Sequence, residues 1–168
     1  DNDEVVGAVM LAFEYLAQQS GFRIDAGGED QASQDAAEFV RAAIFEDMEK
    51  SWPEMLGEIM TVLPYGWAWM EQVFKFRRGE SKDKAKTSRF TDGKIGWAKW
   101  ALRSQDSLYQ WLWGPNGEVI AMVQPAPPDD KIRVIPLDKS LLFRTSTEKD
   151  NPEGRSILRN AYRSWYFK

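Results

Sequence analysis

The sequence contains no cysteine and no histidine. It therefore cannot form a disulfide, a thiolate nucleophile, a Ser-His-Asp triad or an ordinary zinc site. Carboxylates, lysine, tyrosine and serine remain as catalytic groups, but Asp129-Asp130 and Glu46-Asp47-Glu49 lack any spacing diagnostic of paired-carboxylate chemistry. We interpret these acids as surface charge. The sequence predicts a protein that is not an enzyme and has no catalytic, metal-binding or cofactor-binding residue.

Long apolar runs and a phosphate-binding glycine loop are also missing. No segment approaches the roughly 18 to 20 uninterrupted apolar residues of a membrane-spanning helix. Gly27-Gly28 lacks the Lys-Ser/Thr pair that follows the glycines of a phosphate-binding loop. The acidic start of the chain is the opposite of the positive first region of a signal peptide. With 43% hydrophobic and 13% aromatic residues, we expect a folded, soluble protein without membrane contact.

The charges are divided unevenly along the chain. Residues 1–60 carry 14 acidic and 3 basic residues, whereas residues 61–168 carry 12 acidic and 19 basic residues. Such polarity is typical of solvated helix faces and loops, and also of subunits that orient against one another or against nucleic acid. All of these interpretations remain open at this level.

The hydrophobic pattern predicts helices first, then strands, then a helix. Spacings of three and four indicate helices from the first residues to about Ser20, from Gln31 to Lys50, and from Ser51 to the helix stop at Pro64. Alternation indicates strands. The segments are Phe22–Asp25, a strand from Trp67, Trp97–Arg103, a hairpin of 107–113 and 118–124 around Asn116-Gly117, and strands at 132–135 and 141–144. Asp150 or Asn151 should cap a final helix with Pro152 and Glu153 in its first turn.

A basic cluster covers residues 75–89, where seven lysines and arginines face two acids. Its possible contact residues are Arg77, Arg78, Lys82, Lys84 and Lys86. Such a cluster can bind phosphates by counterion release. No aromatic side chain lies among the charges from Arg77 to Arg89 to stack on bases, so a long, mobile, solvated loop is the simpler interpretation.

A second basic feature lies near the end of the chain. Projected at about 100° per residue, Arg155, Arg159 and Arg163 share one edge of the predicted helix. An apolar face containing Ile157, Leu158, Ala161, Tyr162 and Trp165 lies apart from them. This row of cations suits a DNA backbone, the acidic surface of a neighbouring copy, or solvent.

Six tryptophans lie between Trp67 and Trp113. Flat indole faces on strands can stack on sugars, which allows a carbohydrate- or surface-binding β-module. Alternating tryptophans in strands more often form core and cross-strand packing, and here they also suit contacts between subunits.

Three segments, taken in order, resemble the bacteriophage portal family in its Mu-type branch. The first is Leu63 to Glu71, which is similar to the family's glycine, short apolar strand and glutamate. The second is Arg133 to Phe143, similar to its proline, lysine and hydrophobic strand. The third is Asn151 to Arg159, similar to the Pro-x-Gly-x-Ser-x-Leu-Arg element that introduces the channel-side helices.

The resemblance implies a subunit of the portal ring, through which DNA is packaged into the capsid and ejected from it. The ring usually has twelve copies, lies at one vertex of the virion and is assembled in the host cytoplasm. It docks the terminase and head-completion or tail proteins, and double-stranded DNA passes through it without sequence preference. The resemblance further implies a backbone role for Gly66 and Gly154 near Pro152, a buried or interfacial pair for Glu71, and a ring contact for the Arg155 edge.

The expected fold is therefore α+β, with N-terminal helices, a mostly antiparallel β region and a C-terminal helix. We expect one segment of a longer portal protein, from its wing or body. The segment would comprise a helical part (1–63), a β-rich part (64–148) and the start of a channel-side helix (149–168). The alternatives are the tryptophan-rich β-module and a non-enzymatic DNA-binding protein.

Overall fold

The computed structural model of the chain describes residues 3–147 and 151–167. It confirms the α+β class, because helices precede two small antiparallel sheets and a further helix follows them. The helices are α1 (Glu4–Gln19), α2 (Gln31–Phe45), α3 (Trp52–Ile59), α4 (Val62–Tyr65) and α5 (Tyr162–Tyr166). The strands are β1 (Trp67–Phe76), β2 (Ile95–Arg103), β3 (Gln110–Trp113), β4 (Val119–Ala126), β5 (Lys131–Pro136) and β6 (Ser140–Arg144).

The chain divides into two compact units. Unit 1 comprises Asp1–Gly57 and Gln72–Trp100, and unit 2 comprises Glu58–Glu71 and Ala101–Lys168. Both β1 and β2 contribute residues to each unit.

Local capping fixes where the helices of unit 1 begin. The Asp3 carboxylate accepts hydrogen bonds from the Val5 and Val6 amides, each at 3.0 Å. The Asp30 carboxylate does the same for the Ser33 amide at 2.9 Å. These bonds satisfy amides that have no partner within the helix, and they explain why the predicted starts of α1 and α2 are confirmed.

Two secondary-structure predictions in unit 1 were wrong. Residues 22–25 form no strand; instead, the Phe22 ring stacks on Trp52 with centroids 4.4 Å apart and meets Phe45 edge to face. The second helix was expected to reach Lys50 but ends at Phe45. The chain turns there because the Asp47 side chain points inward, as described below.

The third helix begins as expected, since the Ser51 amide and hydroxyl both donate to the Glu54 carboxylate at 2.8 and 2.7 Å. Pro64 does not stop it. The helix ends earlier, at Ile59, and Pro64 lies inside the short helix α4. Proline is tolerated in a first helical turn because its missing amide would have no partner there.

Unit 2 contains a three-stranded sheet of order β3-β4-β5, with all strands antiparallel. The predicted hairpin is confirmed: Trp111 lies opposite Met122, and the Gly114 amide donates to the Glu118 carbonyl at 2.8 Å. Gly117 adopts φ of +84° in the turn, a conformation that glycine adopts without a steric penalty. The predicted strands around 132–135 and 141–144 are also confirmed as β5 and β6.

Strand β1 is the central strand of the other sheet, whose order is β2-β1-β6. In unit 2 it pairs antiparallel with β6, from Trp67 opposite Arg144 to Glu71 opposite Ser140. The core of this unit is formed by Trp67, Trp69, Met122 and Ile135.

The predicted C-terminal helix starts later than expected. Asn151 forms a turn, in which its side chain accepts from the Glu153 amide at 3.0 Å, and Asp150 lies outside the described residues. A 3-10 helix then covers Ile157–Asn160, and α5 follows it. Gly154 adopts φ of +59°, which is outside the right-handed helical region and keeps 151–155 from continuing as a helix.

Candidate interaction surfaces

The first conspicuous arrangement is a backbone contact between Gly66 and Gly154 in unit 2. Gly66 follows α4 with φ of +91°. A Cβ atom built on it would lie 2.6 Å from the Glu153 carbonyl oxygen, and one built on Gly154 would overlap the Gly66 carbonyl oxygen. The two glycines therefore let two backbone segments approach more closely than any side chain allows.

Thr145 and Pro152 support this contact. The Thr145 amide donates to the Gly66 carbonyl at 3.1 Å. The Thr145 hydroxyl donates to the Arg155 carbonyl at 2.6 Å and accepts from the Arg155 amide at 3.1 Å. Pro152 is fully buried. Sequence reasoning singled out both glycines and the proline but missed Thr145, because a threonine after a strand has no distinguishing local pattern.

Glu71 forms an ion pair with Arg103 in unit 2. The Arg103 Nε donates to Glu71 Oε2 at 2.8 Å, and one terminal guanidinium nitrogen contacts the same oxygen. Both side chains are about one-third exposed. The pair borders a cavity of about 410 Å³ that Gln124, Arg133 and Ile135 also line.

Most of the six tryptophans are packing residues. Trp67, Trp69 and Trp100 are buried. The Trp111 ring lies 5.0 Å from that of Trp67 and 5.5 Å from that of Trp69. Trp113 is exposed. Trp97 and Trp111 are half-buried, so Trp113 alone of the six is exposed, which does not favour the sugar-binding interpretation.

In unit 1 the basic cluster is anchored by Asp47. The Asp47 carboxylate accepts from the Ser88 hydroxyl and from the Arg89 amide, each at 2.8 Å, and lies 3.4 Å from the Lys75 ammonium. The Asp47 and Lys75 side chains are only 1% and 5% exposed. The Lys75 ammonium also donates to the Thr87 carbonyl at 2.7 Å and to the Asp47 carbonyl. The surface-charge interpretation of Asp47 is therefore wrong.

Arg77 is also buried and is not available as a surface contact, which corrects its predicted role. Its guanidinium pairs with Asp92 at 3.1 Å and lies over the Phe90 and Phe39 rings, 3.8 and 4.9 Å from their centroids. These contacts compensate its removal from water only in part, because the Arg77 Nε and one terminal nitrogen are buried without a hydrogen-bond partner among the described residues.

The other predicted contact residues of the cluster, Arg78, Lys82, Lys84 and Lys86, are exposed. Lys86 lies 3.4 Å from Asp83, and a 3-10 turn covers Lys84–Lys86. The segment therefore has a fixed attachment through Asp47 and presents its remaining cations to solvent.

The three arginines near the C-terminus do not form one edge. Arg155 precedes the helices and donates to the Asn160 side chain at 2.7 Å. Arg159 lies in the 3-10 helix and Arg163 in α5. A 3-10 helix has three residues per turn, so the 100° projection fails across this segment. Arg159 and Arg163 are exposed, and no carboxylate of the described residues forms an ion pair with either.

Sequence reasoning also missed two exposed apolar surfaces. Helix α1 has no buried residue, and Tyr162, Trp165, Tyr166 and Phe167 are all exposed. Amphipathic spacing indicates that a helix has an apolar face but does not reveal what covers that face.

Within the described ranges, no group of three or more acids lies close enough together to hold a metal ion. In the same ranges, no helix has the length and apolar character needed to cross a membrane.

Comparison with known proteins gives one family. The model of the family described as the portal protein of Mu bacteriophage matches residues 2–168. No curated protein matches the chain.

Proposed function

Because the chain belongs to the Mu bacteriophage portal protein family, we propose that it is a subunit of a twelve-copy ring at one capsid vertex, through which DNA is packaged and ejected. In this proposal the ring assembles in the host cytoplasm and remains in the virion. It docks the terminase motor during packaging, and later the head-completion or tail proteins. The subunit contributes structure and hydrolyses nothing.

The observation that carries the proposal, beside the family match, is how the three family-like segments are used in unit 2. Within residues 63–71, Trp67–Glu71 pair with β6, which is part of the second segment and its continuation. The same residues meet the third segment at the contact of Gly66 with Gly154. Together they build a scaffold of backbone contacts, which suits a structural subunit.

Electron microscopy of the whole protein as encoded by the phage tests this proposal. A large ring with a central hole is the expected result. A compact monomer at the concentrations of assembly would contradict it. Titration with glycans serves as the control for the β-module alternative, and a tryptophan fluorescence shift without self-association would favour that alternative.

We further propose that DNA contacts use the exposed cations of the anchored basic segment, Arg78, Lys82, Lys84 and Lys86. Such contacts should show no sequence preference and should weaken steeply with salt. Lys82→Glu/Lys84→Glu should lower duplex affinity several-fold and reduce the salt slope. The control Lys131→Glu/Lys139→Glu makes an equal charge change on exposed residues of unit 2 and should have a smaller effect. Equal losses would indicate that only net charge matters.

A further inference from the structure

The last residues of β1 present two aromatic rings to solvent. Phe74 and Phe76 are 51% and 52% exposed. The Lys75 side chain between them is 5% exposed and reaches Asp47, because successive side chains of a strand point to opposite faces. The two rings therefore lie on the side of β1 that faces away from the interior of unit 1.

The neighbouring strand β2 adds apolar side chains on the same side. The Trp97 indole nitrogen donates to the Gln72 side chain at 2.9 Å, which puts the alternate residues from Gln72 to Phe76 on the same side as Trp97 and Ile95. Trp97 is half-buried, whereas Ile95 is 58% exposed. Phe74, Phe76, Ile95 and Trp97 thus form an apolar surface of unit 1, which we call the strand face. An exposed surface of neighbouring apolar side chains is typical of a contact site.

The strand face is bordered by positive charge. Residues 72–100 carry nine basic and three acidic residues, and of the nine only Lys75 and Arg77 are buried. The Arg78 guanidinium lies over the Phe76 ring, 4.6 Å from its centroid. None of the alternate residues on this side of the two strands is acidic. A ligand that complements this surface is flat and apolar where it meets the rings and anionic where it meets the border.

Unpaired nucleic acid has this combination of properties. Proteins bind it with cations that follow the phosphates and with aromatic rings on which the bases stack. Phe74 and Phe76 supply the rings that the basic run from Arg77 to Arg89 lacks. Side chains two residues apart on a strand are about 6.6–6.8 Å apart, about twice the 3.4 Å step of a stacked strand. Neighbouring bases can therefore lie one on each ring once they unstack, whereas an acidic protein segment would satisfy the cations without using this spacing.

We propose that the strand face binds unpaired DNA bases, which stack on Phe74 and Phe76 while Arg78 and the exposed lysines of the basic segment contact the phosphates. The inference rests on the proposed function, from which the nucleic acid is taken to be DNA. A duplex keeps its bases stacked on one another, so the ligand is a stretch of unpaired bases, as at a frayed or overhanging DNA end. The contacts proposed above for duplex DNA use the cations alone, which makes the two kinds of binding separable.

Fluorescence anisotropy with the whole protein tests the contact with two labelled probes. One is a short oligothymidylate, and the other has the same length and charge but abasic sugars in place of the nucleotides. Phe74→Leu/Phe76→Leu keeps apolar side chains but removes both rings. It should weaken binding of the oligothymidylate by at least about five-fold for each ring and leave binding of the abasic probe unchanged. Phe74→Tyr/Phe76→Tyr keeps both rings and should retain the affinity.

The matched control removes two exposed rings of unit 2 instead. Tyr109→Leu/Trp113→Leu changes residues that are also at least half exposed and should leave the affinity for both probes unchanged. Lys82→Glu/Lys84→Glu should weaken binding of both probes and of a duplex, because these charges meet phosphates. The phenylalanine pair, by contrast, should leave duplex binding intact.

Several outcomes overturn the inference. They are an unchanged oligothymidylate affinity in Phe74→Leu/Phe76→Leu, an equal loss for the abasic probe, and an equal loss in the control pair. Tighter binding of a ribo-oligonucleotide overturns the choice of DNA. If polyglutamate binds as tightly as the oligothymidylate and also depends on the two rings, the occupant is an acidic protein segment. Loss of ring assembly with unchanged oligothymidylate affinity makes it a second copy.

The inference and the proposed function fail in different measurements. A protein that forms rings in electron microscopy but binds the two probes equally refutes base stacking on the strand face and leaves the portal function standing. A protein that forms no ring refutes the portal function, whatever its affinity for the probes.

Discussion

Replacing Asp47 by alanine should destabilise unit 1 more than any other single loss of a charge there. The substitution leaves the Lys75 ammonium, which is 5% exposed, without its carboxylate. It also removes the acceptor of the Ser88 hydroxyl and the Arg89 amide. Removing one partner of a buried ion pair costs about 3–5 kcal/mol. At about 2–4 °C per kcal/mol for a chain of this size, the midpoint of thermal unfolding should fall by about 6–20 °C.

Urea unfolding and limited trypsin digestion measure this effect. Digestion within residues 78–89 should accelerate, because Asp47 attaches that segment to the rest of unit 1. Asp47→Asn keeps an acceptor oxygen and should lose less stability. Asp47→Ala/Lys75→Met should recover much of the loss, since no buried charge is then left unpaired.

The control is Glu49→Ala, which breaks the largely exposed pair with Lys99 and should cost at most about 1 kcal/mol. If Asp47→Ala and Glu49→Ala have equal effects, or if the double variant is no more stable than Asp47→Ala, the anchoring role of Asp47 is refuted.

Two further predictions concern a close backbone contact and a helix cap. Gly154→Ala should lower the free energy of unfolding by at least about 2 kcal/mol more than Gly117→Ala. Both positions have positive φ, but only Gly154 has a backbone oxygen where a Cβ atom would lie. Equal losses in urea unfolding would show that the contact with Gly66 does not contribute to stability. Hydrogen bonds from Ser51 hold the pKa of the Glu54 carboxyl below its ordinary value of 4.5, so its stabilising effect is present above that pH and is lost as the pH falls through the lowered pKa. Glu54→Gln should therefore flatten the decline of the urea midpoint in this acidic range, and an unchanged pH profile would contradict the cap.

Segments whose determinants lie within a few residues could be predicted from the sequence. The Asp3 and Asp30 caps and the Ser51 to Glu54 pair act over two or three residues. The Asn116-Gly117 hairpin is similarly local, because the turn alone sets the pairing of β3 with β4. The α+β class could also be predicted, because in most segments the hydrophobic periodicity alone decides between helix and strand.

The errors arose where a distant group decided the outcome. Phe22–Asp25 alternates like a strand, but the Phe22 ring is held by Trp52. The sequence shows Asp47 only as one acid in an acidic run, yet its partners Lys75, Ser88 and Arg89 lie 28, 41 and 42 residues away. The sequence pattern indicated that Arg77 is an exposed cation, but in the structure two aromatic rings and Asp92 enclose its guanidinium.

The sequence by itself therefore determined the class of the protein: no cysteine or histidine chemistry, helices before strands, and three ordered segments similar to the portal family. Only the tertiary structure decided which charges are anchors and which are exposed, that Gly66 meets Gly154, and that α1 has no buried residue. The physical reason is that capping and turn formation depend on neighbours in the chain. Burial, ion pairing and uncovered surface depend on groups that only folding brings together.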